Sequence, residues 1–171
     1  MALFAGKIQD LKALYINQLR LMLSTERHIA EALPEMEDAA ADAQLTSALR
    51  QHREETQLHA FHLEQILTGA VGEFEERKCG VSTAMIGSAR DIIKHTDEGP
   101  LRDIGIIASA QRIEHFEIAS YGTLRTWAQM LGLNDHIAVI DGTLQQEYQA
   151  DETLTAIAER LNPFVNVKVA A

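Results

Sequence analysis

A helical pattern near the middle of the chain carries carboxylates on the face that should pack into a core. Over residues 104–128, apolar side chains recur three, four and seven residues apart, which places them on one helical face. Glu114, Glu117 and Tyr121 fall on the same face. A buried carboxylate without a partner costs several kcal/mol or takes up a proton. We therefore expect other helices to aim ligands at this point, with a metal ion as the common partner.

The rest of the chain is also helical in pattern. Pro34 lies within the first segment, and the continuing pattern EMEDAA predicts a kink there instead of an end. The helices are predicted over residues 5–42, 44–69, 82–95, 101–131 and 134–161. The third is short and lies in the connection between two long pairs. A 46% hydrophobic chain of this length can bury a real core. The sequence thus predicts an all-α fold, a single domain over 1–171 built as a four-helix bundle with an additional helix in the crossover.

Each predicted pair offers one Glu on its first helix and two ligands, four residues apart, on its second. These candidate metal residues are Glu26, Glu55 and His59 in the first pair, and Glu114, Glu147 and Asp151 in the second. Bundles with a two-metal carboxylate centre use one Glu from each of two helices and a Glu-plus-His doublet from each of the others. Carboxylate and imidazole ligands suit iron or manganese.

The doublets depart from the usual pattern. Their members lie four residues apart where the common doublet has three, which changes their aim around the helix. Asp151 stands where a His is expected, so it either completes an all-oxygen site or contacts a ligand. The alternatives are ion pairs with Arg20, Arg27 or Arg53 for Glu26 and Glu55, bonds to Arg or Tyr for Glu114 and Glu147, and a core position for His59.

Several further residues are weaker candidates. Glu117 is a reserve ligand, because it shares the face of Glu114. Tyr121 is expected to pack in the core, to hydrogen-bond a ligand or to carry an oxidising equivalent. We expect His52, His62 and His115 beside the ligands or on the surface. Cys79 has no second cysteine to react with and is expected to be inert.

Charge and cysteine usage exclude some classes of partner. The formal net charge of -10 argues against nucleic acid and anionic membranes as partners. A lone cysteine fits a reducing compartment. The first residues, MALFAGKIQD, do not have the pattern of a signal peptide. A cytoplasmic protein is the expectation.

Five motifs give the chain a family resemblance. They are TERHIAEALP, HREETQLH, CGVSTAMIG, SAQRIEHFEIASYGTLRTWA and QQEYQADETLTAIA. Together they resemble the YciE/YciF family of ferritin-like bacterial proteins, over about residues 8–161. The resemblance implies a ferritin-like bundle, a cytoplasmic stress-associated role and a homodimer. The family's candidate metal residues map onto the six named above.

Two functions follow as expectations. The first is a di-metal carboxylate protein with two iron ions per chain, manganese being the other candidate, that reacts with oxygen or peroxide or handles iron. The alternative is a non-catalytic, dimeric helical stress protein whose metal site is structural or decayed; the i+4 spacing and Asp151 favour it. An enzyme with a nucleophilic residue has no motif in its favour.

Overall fold

The computed structural model describes residues 7–72 and 74–165, and the regular elements within these ranges are all helical. The α-helices are α1 Leu11–Ala39, α2 Ala43–Val71, α3 Gly80–His95, α4 Pro100–Met130 and α5 Asn134–Leu161. A short 3-10 turn, Asn162–Phe164, follows α5. The all-α prediction is confirmed.

The four long helices pack as two pairs. Most inter-helix contacts are between α1 and α2 and between α4 and α5, and the short loops within each pair make its helices antiparallel neighbours. The pairs meet through α2 on α5 and α1 on α4. The crossover helix α3 packs on α4 and α1. This is the predicted ferritin-like bundle with its extra helix.

The turn between α1 and α2 is held by two aspartates. Asp42 caps α2, and its Oδ1 accepts hydrogen bonds from the backbone N–H of Gln44 and Leu45, both at 3.0 Å. Asp103, buried near the start of α4, accepts from the backbone N–H of Ala41 and Asp42 at 2.8 and 3.1 Å. One carboxylate therefore joins the second helical pair to the turn of the first.

The apolar core consists of two clusters. The Tyr15 cluster contains Tyr15, Ile16, Leu19, Met22, Leu23, Ala60, Leu63, Ile66, Leu67, Tyr121, Leu124, Ala128 and Ile140. The Ile29 cluster contains Ile29, Ala32, Leu33, Met36, Leu45, Leu49, Ile86, Ala89, Ile106, Ile107, Ala110, Ile113, Leu154, Ile157 and Leu161. Each long helix contributes to both clusters, and the buried residues between its two contributions are all polar. A polar layer thus crosses the bundle between two apolar halves.

The helix ends differ from the predicted ones by a few residues. Helix α1 begins at Leu11 and ends at Ala39, where the pattern predicted 5–42, and residues 5 and 6 lie outside the described ranges. Pro34 lies inside α1, which continues past it. The prediction of one domain over 1–171 includes residues outside the described ranges and stays a prediction. Among the described residues, no helix has the length and apolar character that a membrane span requires.

Candidate metal centre

The polar layer brings together six acidic and imidazole side chains from the four long helices. They are Glu26 on α1, His52 and His59 on α2, Glu114 and Glu117 on α4, and Glu147 on α5. None is more than 6% exposed. The helical pattern places them here because each lies on the inward stripe of its helix, between residues of the two apolar clusters.

The first group consists of Glu26, His59 and Glu147. His59 Nδ1 lies 3.0 Å from Glu147 Oε1 and 3.7 Å from Glu26 Oε2. One ligand atom from each of the three residues lies within 4.8 Å of the other two. One imidazole nitrogen and two carboxylates around a common point form a recognised ligand set for a transition-metal ion.

The second group consists of His52, Glu114, Glu117 and Glu147. His52 Nε2 lies 3.2 Å from Glu114 Oε1. One ligand atom from each of the four again lies within 4.8 Å of the others. Glu147 belongs to both groups, and its two carboxylate oxygens can serve two ions. The layer therefore offers two adjacent sites with one shared ligand.

Many polar atoms of this layer lack a hydrogen bond, although buried polar groups normally have one. Within residues 7–72 and 74–165, nine such atoms belong to the six residues: Glu26 Oε2, both nitrogens of His52, His59 Nδ1, Glu114 Oε2, and both oxygens of Glu117 and Glu147. Several lie close to one another, but their angles are not those of hydrogen bonds. Divalent cations would satisfy these atoms together, so the donor set fits a pair of metal ions.

The electrostatics of the layer favour bound protons in the absence of a cation. Burial, together with the nearby Glu147 carboxylate, raises the pKa of Glu114 and of Glu117 well above the ordinary value. Burial also raises the pKa of Glu26, against the opposing effect of His59. The pKa of His59 rises to about 11, because burial lowers it but contacts with Glu147 and Glu26 raise it more. Metal ions would replace these protons.

The pKa of Glu147 moves in the other direction. Burial alone would raise it, but the close contact with His59 and the nearby charge of His52 outweigh burial and lower it. The residue shared by the two groups is thus the one that most readily carries a negative charge. This is the property required of a carboxylate that serves two cations.

Two neighbouring side chains orient the ligands. His59 Nε2 lies 2.8 Å from Gln146 Oε1. If Nε2 donates to this amide oxygen, Nδ1 of the neutral ring is left free to bind a cation. The buried Tyr121 hydroxyl donates to Glu26 Oε1, and the Tyr121 ring lies edge-on to His59 with centroids 6.3 Å apart. Of the roles predicted for Tyr121, both the core position and the hydrogen bond to a candidate ligand are present.

Four of the six predicted metal residues lie together: Glu26, His59, Glu114 and Glu147. Glu55 and Asp151 lie outside both groups. Glu55 is half-buried and accepts a hydrogen bond from Gln51 Nε2 at 3.0 Å. Asp151 is also half-buried and accepts from Gln111 Nε2 at 3.1 Å. Residues four apart differ by about 40° around an α-helix, and here that rotation places Glu55 and Asp151 on the half-buried flank of their helices.

Two of the three arginines considered as partners of Glu26 and Glu55 pair with other carboxylates. Arg27 pairs with Glu64 and Glu76 at 2.8 and 2.7 Å. Arg53 pairs with Glu37 at 2.7 Å. The pairing alternative therefore does not account for the burial of Glu26.

Two members of the second group were not among the six predicted ligands. His52 was expected beside the ligands or on the surface, and Glu117 was held as a reserve. The spacing of residues along each helix could have identified both of them. His52 lies seven residues before His59, and Glu117 lies three after Glu114, so each shares a face with a predicted ligand.

Comparison with known proteins shows which relatives share this chain's sequence and fold. The family model described as "Domain of unknown function (DUF892)" matches residues 10–165. Protein YciF of Escherichia coli K12 is 31% identical over 152 residues, which are 88% of this chain and 92% of YciF. The crystal structure of YciF, described as a stress protein, matches with a TM-score of 0.87 at 30% identity, over 91% of this chain and 99% of that one.

Two other solved structures extend the comparison. YcfI from Rhodopseudomonas palustris matches with a TM-score of 0.85 at 32% identity, over 89% of this chain and 97% of that one. A two-domain protein from Anabaena variabilis, with DJ-1-like and ferritin-like domains, matches with a TM-score of 0.60 at 15% identity. It covers 98% of this chain and 41% of that protein, and it supports the ferritin-like fold alone. The resemblance to YciF is confirmed, and the chain belongs to the DUF892 family.

Proposed function

We propose that this protein is a di-metal carboxylate protein that binds two divalent transition-metal ions within its polar layer. Glu26, His59 and Glu147 would hold one ion. His52, Glu114, Glu117 and Glu147 would hold the other, with Glu147 shared. The observation that supports this most is the concentration of unpartnered, buried ligand atoms in two groups that share one carboxylate.

Iron and manganese are the proposed metals. The two groups supply carboxylate oxygens and imidazole nitrogens, with no thiolate among the described ligands. Hard and intermediate donors of this kind favour iron or manganese over metals that prefer sulfur. Two iron ions per chain are the leading proposal, with manganese as the other candidate.

When bound, such a metal pair supplies electrons and Lewis acidity for the reduction of oxygen or peroxide, or for the oxidation and handling of iron. The residues of this chain would exclude water from the metal pair and orient its ligands. The apolar clusters on both sides keep bulk water from the layer, which strengthens electrostatic interactions within it. Gln146 orients His59, and Tyr121 orients Glu26 and offers a proton at its hydroxyl.

The role of Glu55 and Asp151 is part of this proposal. Neither belongs to the two groups, but both lie near Glu114: Glu55 lines a pocket with it, and the charge of Asp151 contributes to its raised pKa. Their predicted role as direct ligands remains a prediction, and in the proposal they surround the centre instead of forming it.

The stress-protein description of YciF favours a second candidate function. The chain would then be a non-catalytic, cytoplasmic homodimer whose metal site is structural or decayed. The layer itself is compatible with this, because ions that bind the folded state stabilise it whether or not they react.

The proposal is tested by elemental analysis of metal-loaded, gel-filtered protein, with melting temperatures measured with and without a chelator. About two metal ions per chain and a lower melting temperature after chelation are expected. Stopped-flow absorbance of the Fe(II) protein mixed with oxygen or peroxide then separates the two candidates. A transient absorption band supports the redox function, and retained metal without a reaction supports a structural site. Protein that keeps no metal refutes the di-metal proposal and favours the non-catalytic protein with a decayed site.

A further inference from the structure

A small pocket leads from the surface to the second group of ligands. It lies between α2 and α5, has a volume of about 40 Å³, and its lining includes the buried His52 and Glu114. The exposed Gln51 and Gln149 and the half-buried Glu55 and Ala150 also line it. A volume of this size accommodates about one water molecule or a partly hydrated cation.

Shape and charge both suit the passage of cations. The pocket shares four lining residues, Ala48, Gln51, Gln149 and Thr153, with a wider surface depression of about 650 Å³. Glu55 and Glu114 contribute carboxylates to the lining of the pocket, and none of the described residues that line it is a lysine or arginine. A cleft whose charged groups have one sign concentrates ions of the opposite sign.

The opposite side of the same ligands is closed. There, His52 and Glu114 border a void of only about 10 Å³, whose other lining residues are apolar. Every described residue around this void is buried. A charged ion crossing it would lose its hydration without polar compensation.

We infer that the pocket between α2 and α5 is the entrance through which divalent metal ions reach the buried centre, with Glu55 receiving them at its mouth. This rests on the proposed function and assigns Glu55 a role in transit. The Glu55 carboxylate is held by Gln51 at 3.0 Å, and both side chains line the pocket. His52 and Glu114 contribute unpartnered, buried atoms farther in, so an entering ion meets a sequence of ligands of increasing burial.

Association of Co(II), which reports binding through its visible absorption without oxygen chemistry, tests the inference. Glu55→Lys should slow Co(II) association about tenfold or more at low salt, with the final number of bound ions unchanged. Glu54→Lys is the matched control, because it changes the net charge equally at an exposed neighbour that does not line the pocket. Ala150→Phe should slow entry by filling the pocket, and Ala138→Phe, at an exposed position on α5 away from it, should not.

Each outcome has a distinct meaning. If Glu55→Lys and Ala150→Phe both bind Co(II) at the wild-type rate, the pocket is not the entrance. The proposed metal centre is unaffected by that outcome. A lower final stoichiometry in Glu55→Lys, measured by elemental analysis, makes Glu55 a ligand and overturns its role in transit. If the wild-type protein binds no Co(II) at equilibrium, both the proposed function and the proposed entrance are refuted.

Discussion

His59 and Glu147 meet across the interface of α2 and α5, with Nδ1 and Oε1 3.0 Å apart and both side chains fully buried. The two residues come from different helical pairs, so their contact joins the halves of the bundle at the polar layer. In the absence of a cation, this contact raises the pKa of His59 and lowers that of Glu147. The proposed metal ion would lie at this junction.

Replacing the shared carboxylate should remove more metal than replacing any other ligand. We expect Glu147→Ala to lose both ions, because Glu147 belongs to both groups, and Glu114→Ala to lose the ion of the second group. Elemental analysis of loaded, gel-filtered variants measures this. Glu152→Ala, at an exposed position on the same helix, is the control. Glu147→Ala protein that keeps two ions per chain would contradict the assignment.

Gln146 should influence metal affinity without contacting the ion. Its amide oxygen lies 2.8 Å from His59 Nε2. We expect Gln146→Ala to weaken binding of the ion held by the first group about 10- to 100-fold. This is the usual effect of losing a partner that orients a metal-binding histidine. Competition with a coloured chelator measures the affinity. The neighbouring Gln145→Ala, at an exposed position, should bind like wild type, and equal affinities for both variants would contradict this role.

The metal-free protein should lose stability as pH rises. The folded-state pKa values of Glu114, Glu117 and His59 are raised, so the folded state holds these protons more tightly than the unfolded chain. Their stabilisation is complete below the unfolded pKa values and is lost as pH rises through the folded ones. For His59 this window runs from about 6.5 to about 11.

Urea unfolding in the presence of a chelator, at several pH values from 5 to 9, measures this slope. Glu117→Gln keeps the size of the side chain but removes its titration, so it should flatten the decline. Glu159→Gln, at an exposed site on α5, should leave the slope as in wild type. A free energy of unfolding that rises with pH over this range would show that the layer does not hold protons.

Asp103 should be important for the fold instead of the site. It is 2% exposed and accepts two backbone hydrogen bonds from the α1–α2 turn. Asp103→Ala leaves both donors without this partner, and we expect a loss of about 2–3 kcal/mol in the free energy of unfolding. Urea denaturation measures it. The exposed Asp97→Ala should change stability by less than about 0.5 kcal/mol, and equal stabilities would contradict the role of Asp103.

The sequence predicted the helices well because their apolar periodicity is regular. It predicted Glu26, Glu114 and Glu147 in the layer because carboxylates interrupt apolar stripes only where a partner exists. It was less informative about α2, where His52, Glu55, His59 and His62 offer several polar positions. The rotation of α2 against its neighbours decides which of these face inward, and that rotation depends on packing against α1 and α5 that spacing alone does not specify.

The position of the layer also changes how the backbone should behave. In an ordinary helix the ends open first and the middle is the most protected from hydrogen exchange. Here the middle of each long helix lies beside buried polar atoms without hydrogen-bond partners, while the segments on either side are anchored in apolar clusters. Without metal, the amides around Glu26, His59, Glu114 and Glu147 should exchange faster than those one or two turns away. The bound ions would then hold the four long helices together at their middle, and their removal would make the bundle open locally from its centre.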